Sequence, residues 1–594
     1  MKPFPSRTDI QKLLRDRRMR LFFRGIFVIL WLMTLKDTDS LYINYLILAF
    51  ISLSLALFPT DERAPKRHIA LLACAFSLMV WGANYTCFFG PYDTCTMRQT
   101  TALAIGIKDS ITCLIGGFAV AYPILQLSYT KCQSLRTARL PADPEKKNRF
   151  FFLKIFGLLL PIYLINLFFV EYPGSLSPDP MAQIGEMVSG EYTRFNSYYH
   201  TLLFQSFLKI GYSLFADPNA AIATFCTFQV LLLCASFAWC LSTMRLSGVP
   251  VWYLIAAFLG YALLPHHLAL SVTVWKDTMF GIGCLLMCTA LYRCLREVGK
   301  KSLNYCVFTA GCLIFCISRN IGVYACLLTF LCMLPFLRKR PILLTMMGCV
   351  TALCCILNGP ILTLLDVERP DYVEFISLPL QQVCRVITEG RTLTEEETAM
   401  LSRILDLEQV NSIYDSSFSD PIKNMFRQMD MAWFEERPAE YLKLWLRIGL
   451  RYPMDYLRAW VDLTRGYWNG GYECYMYSRS IMTNDYGIHK TISGGPLYAL
   501  YRLWFGIFER MTILQPLYSV GIHTWALATV TTIEVLKKRK EWILSIPALT
   551  VILGLMVGTP VFCEFRYVYP VITSFPLVLS AFLFPPASRD TAKI

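Results

Sequence analysis

Charge is what this sequence has least of. Asp, Glu, Lys and Arg make up 16% of its 594 residues, against 55% hydrophobic residues. Such a chain has too little polar surface to cover a water-soluble domain of this size. The short alternating segments of a membrane β-barrel are missing as well. No internal repeat and no low-complexity tract interrupts the sequence. No cysteine spacing has the form of a zinc site. The first residues, "MKPFPSRTDIQKLLRDRRMR", are not followed by a small-residue cleavage motif, so they read as an uncleaved cytoplasmic tail.

What is present is hydrocarbon. Mean hydropathy is +0.45, and apolar runs near the 20 or so residues of a membrane span recur from end to end. The pattern predicts an all-α, polytopic transmembrane bundle of about fourteen spans. They fall at roughly 22–35, 41–58, 69–89, 111–127, 150–170, 220–242, 251–265, 278–294, 303–317, 321–337, 342–365, 513–536, 543–560 and 569–584. Alternate loops are basic, among them "DERAPKR", "REVGKK", "RKR" and "KKRK". By the positive-inside rule these loops and both termini face the cytoplasm of a multi-pass cell-membrane protein. The net charge of +14 is thus a topology signal, and nucleic acid is not an expected partner. Most of the 22 cysteines lie inside apolar runs, where they are small core residues. Cys87 and Cys95 flank an outer loop and are candidates for a disulfide.

Five segments follow. Residues 1–127 form a tail and a four-span module, and 128–149 a basic cytoplasmic linker. Residues 150–365 form a transmembrane core with a first outer loop at 171–219. A large outer loop with helical patterns fills 366–512, and 513–594 holds the last three spans and a tail. Loops of this length carry structure and function of their own. Within the large one, "PLYALYRLWFGIF" at 496–508 has the look of an aromatic helix lying in the interface.

Ionisable groups at the ends of spans are costly unless paired or wet, and are therefore informative. Four outer-side clusters stand out. In "SLSPDPMAQIGEMV", Asp179 sits between two prolines at the start of a short amphipathic helix. It is open to two readings, a helix cap and a fixed general base. His200 downstream is a hydrogen-bonded interface residue or a catalyst. In "WKD", Lys276 and Asp277 either pair with each other, with Asp277 capping the next helix, or line a polar cleft with Asp179. In "SRNIG", Arg319 and Asn320 fall between two short spans, where the guanidinium snorkels to the surface or binds phosphate. In "CEFRYVYP", Glu564 and Arg566 pair, or Arg566 faces an anionic headgroup, with Tyr567 beside it in the interface.

These stretches, "PGSLSPD", "WKD", "RNIG" and "EFRYVYP" in this order and on one side of the membrane, resemble integral-membrane glycosyltransferases of the GT-C type. The resemblance covers about residues 150–584. It is closest to a group of bacterial membrane proteins with the same motif order. It implies a polyprenyl-phosphate-linked sugar as donor and a cell-envelope glycan or lipid as acceptor. Asp179 would be the catalytic base. His200, Lys276, Asp277, Arg319, Asn320, Glu564, Arg566 and Tyr567 would be substrate-binding, with the arginines stabilising the departing phosphate. No cofactor and no metal is expected. The chain departs from the family in having Thr201, not proline, after His200, and no paired acids in the first loop. Two other classes stay open: a polysaccharide polymerase or ligase working through 366–512, and a lipid or solute transporter.

Overall fold

The computed structural model describes residues 17–35, 42–55, 65–85, 99–130, 144–337, 341–369, 372–471, 479–559 and 561–585. The fold is all-α; among these residues the only β pairings are isolated bridges. Cys87 and Cys95 lie outside the described residues.

An N-terminal module consists of α1 (Arg17–Leu35), α2 (Tyr42–Leu55), α3 (Lys66–Ala83) and α4 (Gln99–Thr130). It has a buried cluster of its own around Trp31, Tyr45 and Val120. The central bundle begins with α5 (Pro144–Phe169). Two shorter helices follow, α6 (Pro178–Ser189) and α7 (Tyr198–Phe215). Then come α8 (Pro218–Leu246), α9 (Val251–Leu263), α10 (Pro265–Val272), α11 (Lys276–Arg296), α12 (Lys301–Ser318), α13 (Asn320–Leu337) and α14 (Pro341–Ile356). A compact helical unit is built from α15 (Ser377–Thr388), α16 (Glu395–Leu401), α17 (Val410–Ile413), α18 (Asp420–Arg427), α19 (Met431–Glu436), α20 (Pro438–Arg451) and α21 (Pro453–Thr464). It encloses a second core between Val373 and Tyr456. The chain ends with α22 (Pro496–Arg510), α23 (Val520–Leu536), α24 (Ile546–Gly558) and α25 (Tyr569–Leu583).

The chain is a membrane protein, and its described residues do not confirm all of the roughly fourteen expected spans. Among the described residues eight helices are long and apolar enough to cross a bilayer, and a ninth span arises if α9 and α10, bent by 48° at Leu264, act as one. Among the described residues helices occupy the expected positions, and in four of them the apolar stretch is 17 residues or fewer. In α1, for instance, the apolar part Arg24–Leu35 extends only about 18 Å at 1.5 Å per residue, well under a hydrocarbon core of about 30 Å, and the helix begins with the basic turn Arg17–Arg20. Apolar composition marks a segment as buried; it does not fix its length.

Two local features follow directly from sequence. Asn358, Gly359 and Pro360 interrupt the span that starts with α14, and the structure absorbs them in a π-helical turn at Leu357–Ile361. Proline there has no N–H to give to the preceding turn; within the same turn the Leu357 carbonyl accepts from the Tyr199 hydroxyl at 2.6 Å. Helix α22 leaves Leu497, Leu500 and Leu503 exposed. Its Tyr501 and Trp504 reach instead to backbone carbonyls of α5 and α9, at 3.1 and 2.7 Å. That placement suits a helix lying along the edge of the bundle.

Candidate functional site

The stretch that follows α5 is held from both sides. Ser175 pairs in parallel with Thr273: its N–H donates to Val272 at 2.9 Å, and its carbonyl accepts from Val274 at 3.1 Å. On the other side, Leu176 exchanges bonds of 3.1 and 2.9 Å with Ser480 and Met482. Two distant segments are thereby fixed against residues 173–177. The first of them leads directly into Trp275–Lys276–Asp277. Trp275 Nε1 then donates to Ser177 Oγ at 2.5 Å.

Gly174 makes this clamp possible. Its φ is +138°, and a Cβ there would lie 2.7 Å from Cys226 Sγ and 2.8 Å from the Val272 carbonyl that Ser175 uses. We expect Gly174→Ala to cost roughly 1–3 kcal/mol through backbone strain and overpacking. It should read as a lower unfolding temperature with any activity reduced in parallel.

Asp179 does not cap α6. The N-cap is Ser177, Pro178 is the first helical residue, and Asp179 stands in the first turn. Proline is at home at that first position. The freed carboxylate accepts from Arg566 Nη1 at 2.6 Å. Arg566 Nε also pairs with Glu564, and the guanidinium lies over the Trp275 ring at 4.7 Å. Arg566 is thus shared between the two acids.

Asp277 neither pairs with Lys276 nor caps α11, whose N-cap is Trp275. It is fully buried and meets Arg319 Nε at 2.5 Å. Lys276 Nζ donates to the Phe195 carbonyl at 2.5 Å. Arg319 stands at the sharp junction of α12 and α13. There Gly322 lets the backbones touch: a Cβ on it would lie 2.4 Å from the Phe315 carbonyl. The two guanidinium groups share one ring, with Arg319 4.2 Å and Arg566 5.0 Å from the Tyr567 centroid. Such stacking favours arginine over lysine.

Four separated motifs thus meet in one cluster of three acids (Asp179, Asp277, Glu564) and three cations (Lys276, Arg319, Arg566). Burial by itself would raise the Asp179 pKa. Arg566, then Lys276 and Arg319, outweigh it and hold the carboxyl below its ordinary value. Glu564 goes the other way: burial raises it, and its bond to Arg566 only partly offsets that. Two carboxyls on one guanidinium are therefore driven apart, which is how neighbouring acids acquire different tasks.

His200 stands behind this cluster. It is buried, with its ring edge on Phe225 at 5.7 Å. Its Nδ1 lies 3.0 Å from Gln183 Nε2, which also bonds the Asn196 carbonyl and Thr201. Burial, and then the charge of Lys276, pull its pKa down to about 3. The imidazole is consequently neutral and helps to hold α6 against α7. Asn320 is exposed at the start of α13.

Sequence reasoning passed over Glu171. Buried at the end of α5, it receives Arg479 Nε at 2.6 Å and also pairs with Lys490. This anchors the segment that clamps Leu176. The signal was available: a glutamate closing an apolar run must find a cation. Among the described residues no group of three or more His, Cys, Asp or Glu side chains is placed to hold a metal ion.

No curated protein and no solved structure matches the chain. One family does, over residues 191–593, about two thirds of the length. The matched region takes in His200, Trp275–Asp277, Arg319 and Glu564–Tyr567 and begins after Asp179. The chain belongs to DUF6020, a family of unknown function.

Proposed function

We propose that this protein is a glycosyltransferase of the GT-C type. It would move a sugar from a polyprenyl-phosphate donor to a cell-envelope glycan or lipid on the outer face of the cell membrane, with both termini in the cytoplasm. The observation that carries the reading is the shared guanidinium of Arg566, between Asp179 and Glu564 and beside Arg319.

An anionic lipid phosphate entering the cluster would compete for Arg566 and draw on Arg319 and Lys276. Asp179 would then lose its counter-ion and become a stronger base. In the transfer step the acceptor hydroxyl gives its proton to Asp179. Its oxygen bonds to the anomeric carbon, and the bond from that carbon to the phosphate oxygen breaks. The electron pair leaves with the phosphate, whose charge the preorganised cations stabilise.

Binding of a long-chain polyprenyl phosphate to the purified protein in nanodiscs tests this. Arg566→Gln removes a charged donor worth about 1.5–3 kcal/mol, so affinity should fall by roughly 10- to 150-fold. Arg566→Lys should recover only part of it. Unchanged affinity in a folded Arg566→Gln protein would reject the assignment.

A further inference from the structure

The N-terminal module and the central bundle have separate buried clusters and meet along a seam. A few specific contacts close it. Asn44 Nδ2 donates to the Gly470 carbonyl at 2.6 Å, the Tyr45 hydroxyl bonds Asn469, and the Phe76 and Trp525 rings stand 5.1 Å apart. Between these contacts lies a crevice of about 290 Å³, at the small end of ligand pockets.

The crevice is long and narrow. On α23 its wall runs from Gly521 to Val530, a rise of about 14 Å at 1.5 Å per residue. On α4 it runs from Val120 to Ser128, about 12 Å by the same measure. It therefore follows the axes of α4 and α23. Leu48, Phe76, Leu125, Trp525 and Leu583 dominate the lining, and no Asp, Glu, Lys or Arg contributes to it. Phe76 and Ile522 keep part of their surface accessible. The wall is mainly apolar, with Asn44, Tyr45, Ser128 and Thr529 as its polar side chains, and left empty its apolar part would forfeit dispersion contacts.

We propose that the crevice binds one acyl chain of a membrane phospholipid. The headgroup stays outside at the membrane surface, and the chain serves as the packing between the two modules. Shape selects an extended hydrocarbon chain. The uncharged lining argues against a site built to hold a phosphate, and so against the polyprenyl phosphate of the reading above, on which this inference does not depend.

Native mass spectrometry of the protein in mild detergent tests it. One phospholipid should remain bound per chain. Ala121→Trp and Ala526→Trp fill the crevice, and each should reduce that adduct at least about tenfold. Leu353→Trp, on an exposed position of α14, should leave it intact. A second measurement needs no variant: delipidated wild-type protein should gain thermal stability when phospholipid is added back. The proposal is overturned by a wild-type protein without the adduct, by an adduct that survives in either folded crevice variant, by polyprenyl phosphate in its place, or by no gain on adding phospholipid.

Discussion

Asp179→Asn is expected to lower turnover by about 10²–10⁴-fold, the usual contribution of a positioned general base. The same substitution should leave the affinity for polyprenyl phosphate unchanged or raise it. Asn keeps a hydrogen-bond acceptor near Arg566 but removes the negative charge that competes with phosphate for that guanidinium. A residue that merely held α6 in place would lose binding and turnover together. The pH dependence sharpens the distinction. In the free protein the cations hold Asp179 below its ordinary value, so the acid limb of kcat/KM should lie below the ordinary aspartate range. Once phosphate takes Arg566, the carboxyl loses its partner, and the acid limb of kcat should stand at higher pH. Stability has the matching sign. A lowered folded pKa contributes stability above the unfolded value near 4 and loses it as pH falls through the folded value. Full transfer activity in Asp179→Asn, or coincident acid limbs, would remove Asp179 from the chemistry.

How much of this was legible in the sequence differs from residue to residue, for physical reasons. The cluster was legible because charge is rare here; each ionisable group at a span end had to find a partner, and few were on offer. The choice of partner was not. Lys276 and Asp277 are neighbours in the chain, but successive residues on a helix point about 100° apart and do not face each other. Asp277 reaches Arg319 across the bundle instead. The start of α6 is legible in its proline, which at the first helical position implies Ser177 as the N-cap and frees Asp179. That Glu171 needed a cation was legible, but its partners were not, because Arg479 and Lys490 lie some three hundred residues away. The span count was less legible, because hydropathy reports burial without reporting length; among the described residues eight or nine full spans are present.

The buried pair of Asp277 and Arg319 should dominate stability. Asp277 is fully buried and the Arg319 side chain is 21% exposed. Asp277→Ala leaves the mostly buried Arg319 guanidinium without its paired carboxylate, and breaking such a pair costs about 3–5 kcal/mol. A denaturant titration from micelles should register that loss. Removing both charges is a different experiment. Asp277→Leu with Arg319→Met replaces the pair by hydrocarbon of similar volume, and such replacements are often neutral or stabilising. The double variant should therefore recover most of the stability lost by Asp277→Ala. If it is as unstable as the single variant, the pair is not the coupled unit that its geometry implies. If it recovers stability, its transfer activity tells what the pair is for. A stable double variant that no longer transfers sugar would mean that Asp277 serves chiefly to keep a charged Arg319 at the site, beside the Tyr567 ring, ready for a phosphate. The expensive ion pair would then be retained for chemistry that a cheaper hydrophobic pair cannot perform.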